Sequence, residues 1–96
     1  MKTYEQSAKD IIDSYKQVKE KFDMLVKDEG NTVKFEKVND DNYKAIVQYE
    51  EYEIECKLSV KQVFNQMMHD VSRKMMPGTV IEKMINEQII NYLLSK

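Results

Sequence analysis

The most informative stretch of the sequence is YKAIVQYEEYEIECKL at residues 43–58, in which apolar and polar side chains alternate. Successive side chains of a strand point to opposite faces, so this period of two predicts two β-strands, each with one apolar and one polar face. Glu50-Glu51 is predicted to form a tight turn between the two strands, although the pair lacks the glycine or asparagine that such turns favour. The two strands form the centre of the predicted fold.

A further strand precedes this stretch. Val33 and Phe35 alternate with charged residues, and the segment Asn39-Asp40-Asp41-Asn42 has turn chemistry. Together with the two strands of residues 43–58, this strand gives a predicted three-stranded antiparallel meander with one solvent-exposed face. The apolar face of such a sheet has to be covered by helices.

Helical periodicity flanks the meander on both sides. Upstream, apolar residues recur at spacings of four and three, which predicts an amphipathic helix from Thr3 to about Asp28, stopped at Gly30 by a left-handed backbone. This heptad stripe consists of Tyr4, Ala8, Ile11, Tyr15, Val18, Phe22 and Leu25.

Two helices are predicted after the meander. Ser59 is the expected N-cap of the first, which should end at Met76 because Pro77 follows. Thr79 is the expected N-cap of the second, with Glu82 at capping-box spacing. The predicted fold class is therefore α+β: a long N-terminal helix, a three-stranded antiparallel meander and two C-terminal helices packed on one sheet face, as a single domain over residues 1–96.

Composition limits the class of protein. The chain has 96 residues, of which 42% are hydrophobic and 33% charged, which favours a folded domain over a disordered chain or a membrane protein. The first residues contain no apolar run of the kind that a signal peptide needs. Cys56 is the only cysteine, which excludes an intrachain disulfide and agrees with a reducing compartment. We therefore expect a cytoplasmic protein.

The residues that most often carry chemistry are few. His69 is the only histidine and lies opposite the apolar stripe of its helix, without a carboxylate one turn away to orient it. Cys56 is in phase with the inward-facing residues of its strand, where a thiol behaves as a small hydrophobic group. One histidine and one cysteine on different elements cannot supply a zinc site, and the chain has no phosphate-binding glycine motif. We expect neither enzymatic activity nor a metal or other cofactor.

Two surfaces remain as candidates for binding. Residues 36–55 contain two lysines against seven acidic residues, and the candidate partner-binding residues among these acids are Asp40, Asp41, Glu51, Glu53 and Glu55. The last helix is apolar over a wider arc than one core contact requires, and Ile90 and Leu94 lie to one side of its main stripe. These two residues are candidates for a dimer or partner interface, and a homodimer is one of the expected possibilities.

These features favour a protein-binding module, such as a small inhibitor or regulator of a larger intracellular protein. The order of elements, one helix from Tyr4, the meander through Leu58 and then two helices, is similar to that of certain small phage anti-CRISPR inhibitors. This resemblance covers topology alone, and it implies a partner that handles nucleic acid and is bound through acidic residues.

A nucleic-acid-binding domain is the alternative, because helix, three strands and helix is also the order of a double-stranded-RNA-binding domain. Such a domain needs grouped basic residues at the start of the helix that follows the sheet. This chain offers Lys57 and Lys61 there and nothing basic again until Arg73. A structural homodimer is the second alternative.

Overall fold

The sheet of this protein is a meander of three antiparallel strands. A computed structural model describes residues 4–69 and 76–96, with side chains from residue 8 onward. The strands are β1 (Lys34–Asn39), β2 (Asn42–Tyr49) and β3 (Tyr52–Ser59), in the spatial order β1-β2-β3. Helix α1 (Tyr4–Lys27) precedes them, and α2 (Val60–His69) and α3 (Pro77–Leu94) follow. The predicted α+β order is confirmed.

The register of the meander sets which side chains share a face. Tyr43 pairs with Leu58, Ala45 with Cys56 and Val47 with Ile54, so the apolar residues of β2 and β3 lie on one side. Phe35 of β1 pairs with Ala45 and joins the same side. This inner face is covered by the helices, with α1 over β1 and α3 over β3, and α2 packed between α1 and α3.

The core is built where these elements meet. Phe22 of α1 is fully buried and stacks on Tyr43, with ring centroids 4.6 Å apart and planes 5° from parallel. The Tyr43 hydroxyl donates a hydrogen bond of 2.6 Å to Asp23, and burial together with this carboxylate raises the pKa of Tyr43. The buried polar atom is therefore satisfied inside the core. The other fully buried side chains include Val18, Ile54, Leu58, Val60, Val63, Val80 and Ile81.

Helix α1 is longer than the body it covers. Its 24 residues span about 36 Å, whereas a strand of eight residues spans about 27 Å. Its C-terminal half supplies the core contacts, whereas Ala8 is exposed and Ile11 is 46% exposed. The heptad stripe was correctly predicted as helical, but only part of it packs on the domain.

The ends of two helices differ from the prediction. Gly30 does not have a left-handed backbone; instead its N–H donates to the Asp28 carboxylate at 3.0 Å, an Asx turn that replaces the expected glycine cap. Helix α3 begins at Pro77, with Met76 as N-cap, and no side chain caps it. Thr79 lies inside the first turn and donates its N–H to the Met76 carbonyl, so the predicted N-cap is wrong. Proline is favoured at the first helical position because the N–H that it lacks has no helical acceptor there.

The remaining predicted boundaries are the start and the end of α2. Ser59 caps α2 as predicted, since its Oγ accepts the Gln62 N–H at 3.4 Å. The structure describes α2 as far as His69, and residues 70–75, which separate it from the predicted end at Met76, lie outside the described residues. Met76 itself is 69% exposed.

The β2–β3 turn contains a strained residue that gives a test of the meander. Glu50 has φ of 55°, a left-handed conformation that disfavours residues with a Cβ. We expect Glu50→Gly to raise the free energy of unfolding by about 0.5–1 kcal/mol, because glycine adopts this conformation without a steric penalty. Glu51, whose φ is not positive, is the matched control: Glu51→Gly should lower stability by a few tenths of a kcal/mol. Urea unfolding measures both, and a Glu50→Gly variant no more stable than wild type would contradict the turn geometry.

Candidate binding groove and surrounding surfaces

The outer face of the sheet carries charges of both signs. Lys44 lies at its centre, 3.3 Å from a Glu36 oxygen and 3.8 Å from a Glu55 oxygen. Hydrogen bonds from Lys34 and Lys44 lower the pKa of Glu36, and the Glu36 carboxylate in turn raises the pKa of Lys44. The strand register brings three lysines and three glutamates onto this face: Lys34, Glu36, Lys44, Glu53, Glu55 and Lys57. The face is therefore electrically balanced and not uniformly acidic.

The five acidic candidates do not form one strip. Asp40 and Asp41 lie at the β1–β2 turn, at the end of the sheet opposite to Glu51 in the β2–β3 turn. A strand of eight residues separates the two ends by about 27 Å. Glu53 and Glu55 lie on β3, between the two turns.

The aspartates at the β1–β2 turn make a hydrogen bond and ion pairs with other residues of the chain. Asp41 accepts a hydrogen bond of 2.9 Å from the Tyr15 hydroxyl and lies 3.9 Å from Lys19, so it ties the turn to α1. This hydrogen bond raises the pKa of Tyr15. Asp40 pairs with Lys37 at 3.2 Å. Their role in the structure is to hold the hairpin, which weakens the case for a binding role.

The acidic residues of the β2–β3 hairpin are differently placed. Glu50, Glu51 and Glu53 are exposed, and none of them makes an ion pair with another described residue. Glu55 is exposed but shares Lys44 with Glu36. We call Glu50 and Glu51 the acidic hairpin, because both lie in the β2–β3 turn at one end of the sheet, whereas Glu53 belongs to the outer face.

A glutamine side chain forms hydrogen bonds with the backbone at the free edge of β3. The Lys57 N–H donates to Gln88 Oε1 at 2.8 Å, and Gln88 Nε2 donates to the Lys57 carbonyl at 2.7 Å. A side-chain amide of α3 thus takes the place of a neighbouring strand at this position. It blocks the pairing of β3 with another chain there, a common risk at sheet edges.

An open groove lies on the inner face of the sheet, between α1 and α3. Its floor is Phe35 and Val47 together with Val33, its α1 wall includes Leu25, and its volume is about 670 Å³. The wall on α3 is formed by residues one helical turn apart, Ile81, Ile85 and Ile89. Polar groups stand among and around them, including Lys21, Asn31, Glu82 and Asn86. A mostly apolar concavity with a few polar groups is the usual form of a binding site.

The groove leads towards the acidic hairpin. Val47 lies on its floor, and Tyr49, two residues further along the same face of β2, is 42% exposed. Glu50 and Glu51 follow directly. The strand that forms part of the groove floor therefore ends in an acidic turn.

The outer surface of α3 contains the predicted dimer or partner residues. Ile90 is 55% and Leu94 78% exposed, whereas Ile81 and Ile85 are buried and Ile89 is half-buried. The structure thus places Ile90 and Leu94 away from the core, and it places Ile89 in the groove. Homodimer formation stays a prediction.

The two residues considered as candidates for catalysis, His69 and Cys56, lie on the faces that the sequence pattern predicted for them. His69 is exposed at the last described position of α2. Cys56 is fully buried, with its Sγ 4.0 Å from the Ile85 carbonyl, and burial raises the pKa of its thiol. Within residues 4–69 and 76–96, no three His, Cys, Asp or Glu side chains come together as metal ligands.

Comparisons of the chain with protein-family models, with curated proteins and with solved structures give no match. Among the described residues, no helix has both the length and the apolar character needed to cross a membrane. The fold and the groove define a small α+β domain of 96 residues with an open apolar concavity.

Proposed function

We propose that this protein is a non-enzymatic protein-binding module, which docks an amphipathic segment of a partner in the groove between α1 and α3. The observation that carries the proposal is that β2, which forms part of the apolar groove floor, ends in the acidic hairpin. Apolar side chains of the partner occupy the groove, and basic side chains of the same segment meet Glu50 and Glu51 in the β2–β3 turn.

The charge of the hairpin determines the chemistry of the partner. Glutamates without an ion pair attract lysine or arginine, and this attraction steers encounter and fixes orientation more than it adds affinity. The apolar floor and wall supply most of the binding free energy, because burial of apolar surface is the main favourable term in association. A partner that is only basic, such as one with no apolar face, leaves the groove unfilled.

The proposal relocates the interface that the sequence indicated. Within the predicted acidic surface, Glu51 is retained. Glu53 and Glu55 lie on the outer face, where Glu55 pairs with Lys44, and Asp40 and Asp41 serve the β1–β2 turn. Inhibition of an intracellular protein that handles nucleic acid stays a prediction from topology. The nucleic-acid alternative gains no support from the acidic end of the groove, which repels phosphates.

Charge reversal at the hairpin tests the electrostatic part of the proposal. The probe is a fluorescently labelled helical peptide made of leucine and lysine, with its leucines on one face, and binding is measured by anisotropy. We expect Glu51→Lys to weaken binding by about threefold to tenfold at an ionic strength of about 0.1 M, and the difference to shrink at about 1 M because of screening. Stability should change little, since exposed single charges contribute little to folding.

Asp40→Lys is the matched control, because it makes the same charge change at the opposite end of the sheet. It should leave peptide affinity within about twofold of wild type at the same ionic strength of about 0.1 M, where the Debye length is about 10 Å. A leucine–glutamate peptide of the same pattern should bind more weakly than the leucine–lysine peptide. Equal binding of the two peptides, or equal effects of the two charge reversals, would contradict the assignment of a basic partner segment.

A further inference from the structure

Two tyrosines meet at the end of the domain near the β2–β3 turn. Tyr52 begins β3 and Tyr92 lies in the last turn of α3, and their ring centroids are 6.1 Å apart with planes at 70°. Both side chains are half-buried, so each ring keeps part of its surface open to solvent. The planes of this edge-to-face pair are 70° apart, which leaves a small space between the rings, and the face of each aromatic ring is electron-rich.

A cation occupies the space between the two rings. Lys96 Nζ lies 4.4 Å from the centroid of the Tyr52 ring and 4.9 Å from that of Tyr92. Both distances are within the range of about 6 Å over which a ring attracts a cation. A hydrogen bond with Tyr92 contributes to a raised pKa of Lys96, so the charged form of the amine is favoured there. Lys96 itself is exposed and comes from the segment that follows α3.

The two residues that precede Tyr52 in the chain are acidic. Glu50 and Glu51 immediately precede Tyr52, and neither carboxylate is paired with a cation among the described residues. Aromatic rings that hold an ammonium group between them are the arrangement found in sites that bind quaternary ammonium groups.

We propose that Tyr52 and Tyr92 form a binding site for an alkylammonium ligand, and that Lys96 occupies this site when the ligand is absent. A methylated ammonium is larger and more weakly hydrated than the amine of lysine, so it loses less hydration when it enters the space between the rings. The ligand displaces Lys96 into solvent. This site is separate from the groove, and its test requires no protein partner.

The test is an NMR titration with tetramethylammonium chloride, followed on the ring protons of the two tyrosines. The expected result is a saturable shift of the Tyr52 and Tyr92 resonances that neutral tert-butanol and sodium chloride do not produce. Lys96→Ala should tighten binding by about threefold to sixfold, because it removes the internal competitor. A merely structural lysine would not give this gain.

The ring surfaces are tested by two substitutions at one position. Tyr92→Phe keeps the aromatic face and should retain binding within about twofold, whereas Tyr92→Leu should reduce it at least fivefold. Choline and a peptide containing trimethyllysine, titrated in parallel, distinguish a free small molecule from a modified protein as the source of the group, by which of them binds more tightly. The proposal is overturned if tert-butanol shifts the resonances as much as tetramethylammonium does, or if Lys96→Ala leaves the affinity unchanged.

Discussion

Phe22→Ala is expected to lower the free energy of unfolding by about 3–5 kcal/mol, the range for removal of a buried phenylalanine. Phe22 is fully buried and stacks on Tyr43, so its loss removes contacts between α1 and the sheet and leaves a cavity between them. Small domains have a free energy of unfolding of about 5–15 kcal/mol, and this single change therefore removes a large part of it. Urea unfolding followed by circular dichroism measures the difference.

Met24 provides the control on the same helix. Its side chain is 65% exposed, and Met24→Ala should change stability by no more than about 0.5 kcal/mol. A Phe22→Ala variant that loses less than about 1.5 kcal/mol would show that α1 is not packed on the sheet as described.

The meander was predictable because its residues alternate. Tyr52, Ile54, Cys56 and Leu58 carry apolar groups at every second position, and a slip of one residue would turn all of them towards water. The inward position of Cys56 followed from the same phase. Ser59 was also predictable as the α2 cap, since its hydroxyl needs only the N–H three residues later.

Helix ends were less predictable where two local signals competed. Thr79 and Glu82 have the spacing of a capping box, but Pro77 also suits the first turn of a helix, and the structure follows the proline. At Gly30 the carboxylate of Asp28 supplies the turn, so the conformational freedom of glycine is not used. Nothing in the one-dimensional pattern decides between such alternatives.

The candidate site was only partly predictable. The sequence identifies Glu51 and Glu53 as outward-facing acids, but it does not place Lys44 between Glu36 and Glu55, because that requires the register of three strands. The groove depends on the separation of α1 and α3 over the sheet, which results from the sizes of many packed side chains. The wide apolar arc of α3 was a signal of it, since that helix faces both the core and the groove.

The groove wall gives the second large prediction. Ile89 lines the groove, whereas its neighbour Ile90 is 55% exposed and does not. Ile89→Glu should weaken binding of the leucine–lysine peptide at least tenfold, because it places a charge where an apolar side chain of the partner is to be buried, a loss of about 1.4 kcal/mol or more. Ile90→Glu adds the same charge on the same helix and should change affinity by less than about twofold.

This pair of variants is the most direct test of the central claim, that the groove between α1 and α3 is the docking surface. Circular dichroism and urea unfolding first establish that both variants are folded, and peptide anisotropy then compares them with wild type. The account predicts a large loss of affinity for Ile89→Glu and almost none for Ile90→Glu. Equal affinities for the two variants, or a larger loss for Ile90→Glu, would contradict it and would move the interface to the outer surface of α3.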